Sequence, residues 1–218
     1  MQLLAQVAEA IAATAKKTEK VRLLADYFAS RTIEEAATST VFLSGRVFPA
    51  FEETTLQVGG TMAWSVLGEI SHKSDLEMTQ VFRKYGDLGS AAYDVLLDSA
   101  PKHGSVNVCD IAREFRRIAE TRGAAAKTGF VRLLMAKLTP PEAKYAIKIM
   151  SGDLRIGLRE SLVEDAIAKT YGDPVADVQK ANMLLGDIGE TLRLAKELSE
   201  GGLIPSKAPC DPRHCPTC

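Results

Sequence analysis

The sequence predicts an all-α protein: a multi-helix domain of two pseudo-symmetric helical halves with no substantial sheet. Apolar residues recur at three- and four-residue spacing through most of the chain, which is the period of one helix face. No alternating run is long enough to argue a sheet. A set of short motifs also occurs twice in the same order: Val21-Arg22-Leu23-Leu24 returns as Val131-Arg132-Leu133-Leu134, Glu35-Ala36 as Glu142-Ala143, and Ser44-Gly45 as Ser151-Gly152. The last two pairs lie 107 residues apart and the first lies 110 apart, a gap that a three-residue loop difference covers. These motifs place the halves at about 1–102 and 103–203, followed by a Cys/Pro-rich tail over 204–218 that is expected to be disordered. The period is too long, and the copies too few, for a solenoid array.

Taken in order, Leu3 to Ala15 carries Leu4, Val7, Ala8 and Ile11 on one side of a first helix. A second is expected over Glu19 to Ser30. Thr32, with Glu35 three residues later, forms a capping box for a third that ends at the first Ser-Gly pair. Phe48-Pro49 and Gly59-Gly60 punctuate an irregular segment in which Leu56 and Val58 are expected to be extended for a few residues. Thr61 to Ile70 is helical. Ser74 and Glu77 cap a helix ending near Tyr85-Gly86, and Asp87 to Asp98 gives another. Pro101 to Gly104 is the expected seam. Val106 to Arg122 and Ala124 to Lys137 follow. In the next helix Ala143, Ala146, Ile147 and Met150 make one apolar stripe, with Lys144 and Lys148 on another face. Ser151-Gly152-Asp153 stops it, because glycine tolerates the left-handed backbone of a helix C-terminus. A helix after Gly157 runs to Lys169, and Asp173-Pro174 opens a last helical region through Leu198, broken around Gly186 and Gly189.

Composition narrows the class. With 46% hydrophobic and 25% charged residues in 218, the chain can bury a sizeable core. No stretch approaches the roughly 20 apolar residues of a membrane-spanning helix, and no basic segment precedes the N-terminal apolar one, so no membrane association and a cytoplasmic location are expected. The net charge of −1 argues against an indiscriminately basic nucleic-acid binder. Its distribution does not: Arg113 to Arg159 holds eleven basic residues against Glu114, Glu120, Glu142 and Asp153. A local excess of this kind can steer a polyanion. The alternative is solvated helix faces whose charges find partners in other segments.

The loop after the second Ser-Gly pair brings together Ser151, Gly152, Arg155, Gly157 and Arg159. Guanidinium groups beside backbone amides that no side chain shields suit phosphate oxygens. The first copy offers Ser44, Gly45 and Arg46, and Lys148 precedes the second loop on its helix. Two such loops related by a pseudo-dyad could contact the two strands of a duplex, whose backbones are themselves dyad-related.

These residues also carry a family resemblance. The run MSGDLRIGLRESLVEDAIAKTYG, with FLSGRVFPAFEETTLQVGG and KYGDLGSAA, resembles the N-terminal DNA-binding domain of ATP-dependent DNA ligases, from about Leu3 to Leu198. The resemblance implies an all-helical domain of two pseudo-symmetric halves that docks on the minor groove around a nick. Gly152, Arg155 and Gly157 match the family's phosphate-contacting loop, and Gly45 and Arg46 match its partner; Asp153 stands where some relatives have arginine. It further implies double-stranded DNA, nicked or intact, as the partner, and a catalytic ligase domain in cis.

The same residues carry no catalytic motif. The family's adenylation motif, Lys-x-Asp-Gly, does not occur; Lys84-Tyr85-Gly86-Asp87 exchanges its glycine and aspartate, and Lys73-Ser74-Asp75 is followed by Leu76. No P-loop, zincin or nucleophile-elbow motif occurs either. The expectation is a chain without catalytic residues or a cofactor of its own, ATP and Mg²⁺ belonging to a separate catalytic domain. Cys109, among Val106, Val108 and Ile111, reads as a core thiol. Cys210, His214, Cys215 and Cys218 in the tail are chemically able to hold zinc, but without flanking hydrophobic residues to build a knuckle. The functional expectation is a non-catalytic DNA-binding module that supports strand joining in replication, recombination and repair. The alternative is a helical scaffold for protein–protein contact.

Overall fold

Several helix boundaries fall where capping chemistry is available. Thr32, Ser74, Asn107 and Thr139 each open a helix with a reciprocal capping box, closed by Glu35, Glu77, Asp110 and Glu142. Each box satisfies backbone N–H groups that the first helical turn leaves without partners. Gly86, Gly172 and Gly186 close helices in the left-handed conformation, where a Cβ would be strained. In the computed structural model, which describes residues 1–104 and 106–201, the described residues form twelve α-helices and no strand. The helices are α1 Gln2–Ala12, α2 Lys17–Ala29, α3 Ile33–Leu43, α4 Gly60–Ser71, α5 Asp75–Tyr85, α6 Leu88–Leu96, α7 Val108–Glu120, α8 Ala124–Met135, α9 Pro140–Met150, α10 Glu160–Tyr171, α11 Val175–Leu185 and α12 Ile188–Ser199. The segment around Leu56 and Val58, expected to be extended, is a loop without strand pairing. The last helical region is two helices separated at Gly186-Asp187.

The duplication covers all six helices of each half. Helices α2 and α3 start 107 residues before α8 and α9, whereas α4, α5 and α6 start 100 residues before α10, α11 and α12. The change of offset lies in one linker, 44–59 in the first repeat and 151–159 in the second. The three-residue adjustment suggested by the Val-Arg-Leu-Leu match does not exist. At the 107 offset Lys20, Leu24 and Phe28 align with Lys127, Val131 and Met135, and all six are buried. The four-letter match sits one helical turn out of that register: Leu23 is partly buried, whereas Leu133 is exposed.

The repeats are interleaved. Helix α3 packs on α12 and α7, and α9 packs on α6 and α1; α2 packs on α10, and α8 on α4. The last three helices of each repeat therefore cover the first three of the other, and one continuous core runs through both. Pro101–Gly104 joins the repeats in sequence but marks no division between separate bodies in space. Helices α3 and α9 are buried nearly all round, the pattern of a helix at the centre of a core rather than on its surface. Glycine permits the tight crossings. A Cβ at Gly89 on α6 would lie 2.6 Å from the Lys148 side chain and 2.8 Å from the Lys144 carbonyl, and one at Gly189 on α12 would lie 3.0 Å from the Ala37 carbonyl.

Candidate nucleic-acid interface

The two central helices end in equivalent turns. Ser44 caps α3 with its hydroxyl donating to the Val41 carbonyl (2.7 Å), and Ser151 caps α9 with its hydroxyl donating to the Lys148 carbonyl (3.0 Å). Gly45 (φ 87°) and Gly152 (φ 68°) follow in the left-handed region. The turns lie side by side: a Cβ on Gly152 would sit 3.8 Å from the Gly45 carbonyl oxygen. Sequence-distant pieces are thus brought to one place, and both turns line a cleft of about 640 Å³ that also reaches Arg46 and the 52–59 segment.

Beyond Gly152 the chain alternates. Leu154 and Ile156 are buried and anchor the loop, while Asp153, Arg155 and Gly157 face outward. Arg155 holds a left-handed backbone (φ 51°), which a non-glycine residue adopts at a cost of about 1–2 kcal/mol. Its guanidinium bonds Asp153 (2.6 Å) and the Gly86 carbonyl at the end of α5 (3.2 Å). The hydrogen bond to Asp153 raises the pKa of Arg155 further above its ordinary value. Gly157 (φ 62°) is tied from beneath by Lys20, whose ammonium donates to the Ile156 (2.6 Å) and Gly157 (2.9 Å) carbonyls. Arg159 caps α10 without a side-chain hydrogen bond, is exposed, and makes no ion pair among the described residues. Arg46 is 48% exposed and loosely paired with Glu160 at 3.8 Å.

Lys148 is placed differently from the expectation that it adds a phosphate contact. It is 5% exposed and paired with Asp87 at 3.1 Å, so its charge is committed to the α6–α9 packing. Burial works against ionisation of Asp87, yet the Ser90 hydroxyl and amide and the Lys148 ammonium together hold its carboxyl below the usual aspartate value. Much of the basic segment is also paired with carboxylates, at more exposed positions. Arg113 pairs with Asp110, Arg116 with Glu52, Arg132 with Glu69 and Lys144 with Glu9. Arg122, Lys137 and Arg159 are exposed and have no carboxylate within 4.0 Å among the described residues. Cys109 is half-buried rather than a core thiol, with its sulfur 3.7 Å from the Thr38 hydroxyl. The tail residues Cys210, His214, Cys215 and Cys218 lie outside the described residues. Among those described, no cluster of three or more His, Cys, Asp or Glu side chains is placed to hold a metal ion. No described helix is long and apolar enough to cross a membrane.

Lys20 and Lys127 escaped the sequence reading. Both are buried and both reach loop backbone, Lys127 at the Leu56 carbonyl (3.1 Å). Their separation of 107 residues is the offset of the Ser-Gly pairs, and so was present in the sequence; the out-of-register Val-Arg-Leu-Leu match obscured it.

Fold and loops together define an all-helical module of two interleaved six-helix repeats, with paired Ser-Gly turns and an exposed arginine on the loop after each. The chain belongs to the family described as DNA ligase N terminus, whose model matches residues 1–168. It is similar to a probable DNA ligase of Koribacter versatilis, 54% identical over 195 residues, covering 89% of this chain and 34% of that protein. A probable DNA ligase of Opitutus terrae is 33% identical, over 87% of this chain and 22% of its own length. A DNA ligase of Methanopyrus kandleri is 31% identical, over 92% and 37% respectively. The chain thus spans between 22% and 37% of the length of these curated relatives.

Proposed function

We propose that this chain is the DNA-binding module of an ATP-dependent DNA ligase. It grips the phosphate backbone of duplex DNA, nicked or intact, across the minor groove, and supports strand joining in replication, recombination and repair. Joining itself falls to a catalytic domain in cis, where ATP and Mg²⁺ would be used; none of the residues of this site is assigned to them. A cytoplasmic location goes with that reading.

The observation that carries the proposal is the adjacency of the Ser44-Gly45 and Ser151-Gly152 turns, each followed within a few residues by an exposed arginine, Arg46 on one loop and Arg155 on the other. Two related anion-facing loops suit two antiparallel backbones. Arginine contributes charge-assisted hydrogen bonds that an overall charge of −1 would not suggest. Phosphate contacts carry no base information, so binding is indifferent to sequence. The test is fluorescence anisotropy on labelled intact and nicked duplexes across a salt series. With about four to six phosphates neutralised, log affinity falls against log salt with a slope of roughly −4 to −5. Affinity that stays flat from low to moderate salt contradicts the proposal.

A further inference from the structure

Two buried lysines occupy the same place in the two repeats and do the same thing across them. Lys20 on α2 is 5% exposed and Lys127 on α8 is 6% exposed. Lys20 donates to the carbonyls of Ile156 and Gly157; Lys127 donates to the carbonyl of Leu56 (3.1 Å) and the side-chain oxygen of Gln57 (3.4 Å). At the 100-residue offset of α4–α6 and α10–α12, Leu56 corresponds to Ile156 and Gln57 to Gly157. Gln57 (φ 53°) and Gly157 (φ 62°) even share the left-handed backbone. Each repeat therefore reaches with one lysine into the loop of the other.

The choice of residue is informative. Neither ammonium has a carboxylate within 4.0 Å among the described residues, although a buried charge is ordinarily paired. A methionine would fill the same space without that cost, so the contribution of lysine is what it does to the loop carbonyls. In a trans peptide the C=O and the following N–H point opposite ways. Drawing the Ile156 and Gly157 carbonyls inward turns the N–H groups of Gly157 and Leu158 outward; drawing in the Leu56 carbonyl turns out that of Gln57. None of these three N–H groups has a backbone acceptor among the described residues. Glycine at 157 fits this arrangement, since a Cβ there would lie 2.7 Å from the Lys20 ammonium nitrogen.

We propose that Lys20 and Lys127 are paired positioning residues, each setting the anion-facing loop of the opposite repeat so that its amides meet a phosphate oxygen. The identity of the anion rests on the DNA-binding reading; the setting of the loops does not. The experiment uses the full chain with Lys20→Met and Lys127→Met, followed by hydrogen exchange with mass spectrometry on the free protein and by anisotropy on a duplex. Lys20→Met is expected to speed exchange in 153–159 and leave 52–60 at the parent rate, and Lys127→Met to do the reverse. Each lowers duplex affinity about tenfold at fixed salt, the scale of a lost hydrogen bond to a charged group. Lys20→Gln and Lys127→Gln, which keep one donor, read the same loops if a methionine variant loses helix content. Unchanged loop exchange, or faster exchange spread evenly through the core in every variant, overturns the proposal. So does loop-specific exchange with parent affinity for a duplex that the parent binds. If the parent itself binds no duplex, the DNA reading falls, while the crossed exchange pattern still decides the loop setting.

Discussion

Arg155 shows how much of the site is settled by single residues. Its side chain is free enough to meet a phosphate, but its backbone is held at φ 51° between a buried Leu154 and a buried Ile156, and its guanidinium already spans Asp153 and Gly86. The left-handed turn before it was legible, because a Ser-Gly pair at the end of an apolar helical stripe has few other readings. The burial of Lys148 was not. Four residues from Lys144 on one helix face, it reads as solvated until the position of α6 is known, and Gly89, which lets α6 approach, is 59 residues away in sequence. Gly152 sits at φ 68° with only the Gly45 carbonyl near, so Gly152→Val meets backbone strain rather than a clash. Thermal or urea unfolding is expected to show a loss of about 1–2 kcal/mol. On the proposed reading duplex affinity is expected to fall with it, because the added side chain would stand between the turn and a phosphate. A variant with parent stability would mean that the turn does not hold the conformation described.

At the scale of elements, capping chemistry made the starts of α3 and α5 readable, since a Ser/Thr–Glu pair three apart is a local signal. Register between repeats was harder. Short identities such as Val-Arg-Leu-Leu arise easily by chance in helices, whereas the true correspondence of α2 and α8 lies in burial, which the letters alone do not show. The α6–α9 contact carries a pH prediction. The carboxyl of Asp87 is held below its ordinary value in the folded protein, so its contribution to stability is fully present above the unfolded value and is lost as pH falls through the folded one. Asp87→Asn leaves Lys148 buried without its counter-charge and should destabilise by about 3 kcal/mol at neutral pH. Urea midpoints of parent and variant are expected to keep a constant gap above the ordinary aspartate range and to converge below it as Asp87 protonates. A gap that stays unchanged well below the ordinary aspartate range, as far as both proteins remain folded, would mean that the pair contributes no charge-dependent stability.

For the whole molecule, the interleaving of repeats is what sequence could not supply. Two copies of a motif set suggest two halves side by side, and only the packing of α6 on α9, α4 on α8, α12 on α3 and α10 on α2 shows that one core is shared by both. Fragments 1–102 and 103–203 are accordingly expected to show little helix by circular dichroism alone and to recover it when mixed. Two independently folded fragments would contradict the shared core. The same interleaving sets the Ser-Gly turns side by side and gives each loop a lysine from the other repeat. Whether these paired loops bind phosphate is decided by duplex titration of Arg46→Ala and Arg155→Ala beside Arg113→Ala, which lies off the loops and pairs with Asp110. Each loop variant is expected to lose about 1.5–3 kcal/mol of binding, with stability within about 0.5 kcal/mol of the parent and Arg113→Ala affected less. Parent-like affinity in all three variants would contradict phosphate binding by the loops and leave the repeated turns as helix caps alone.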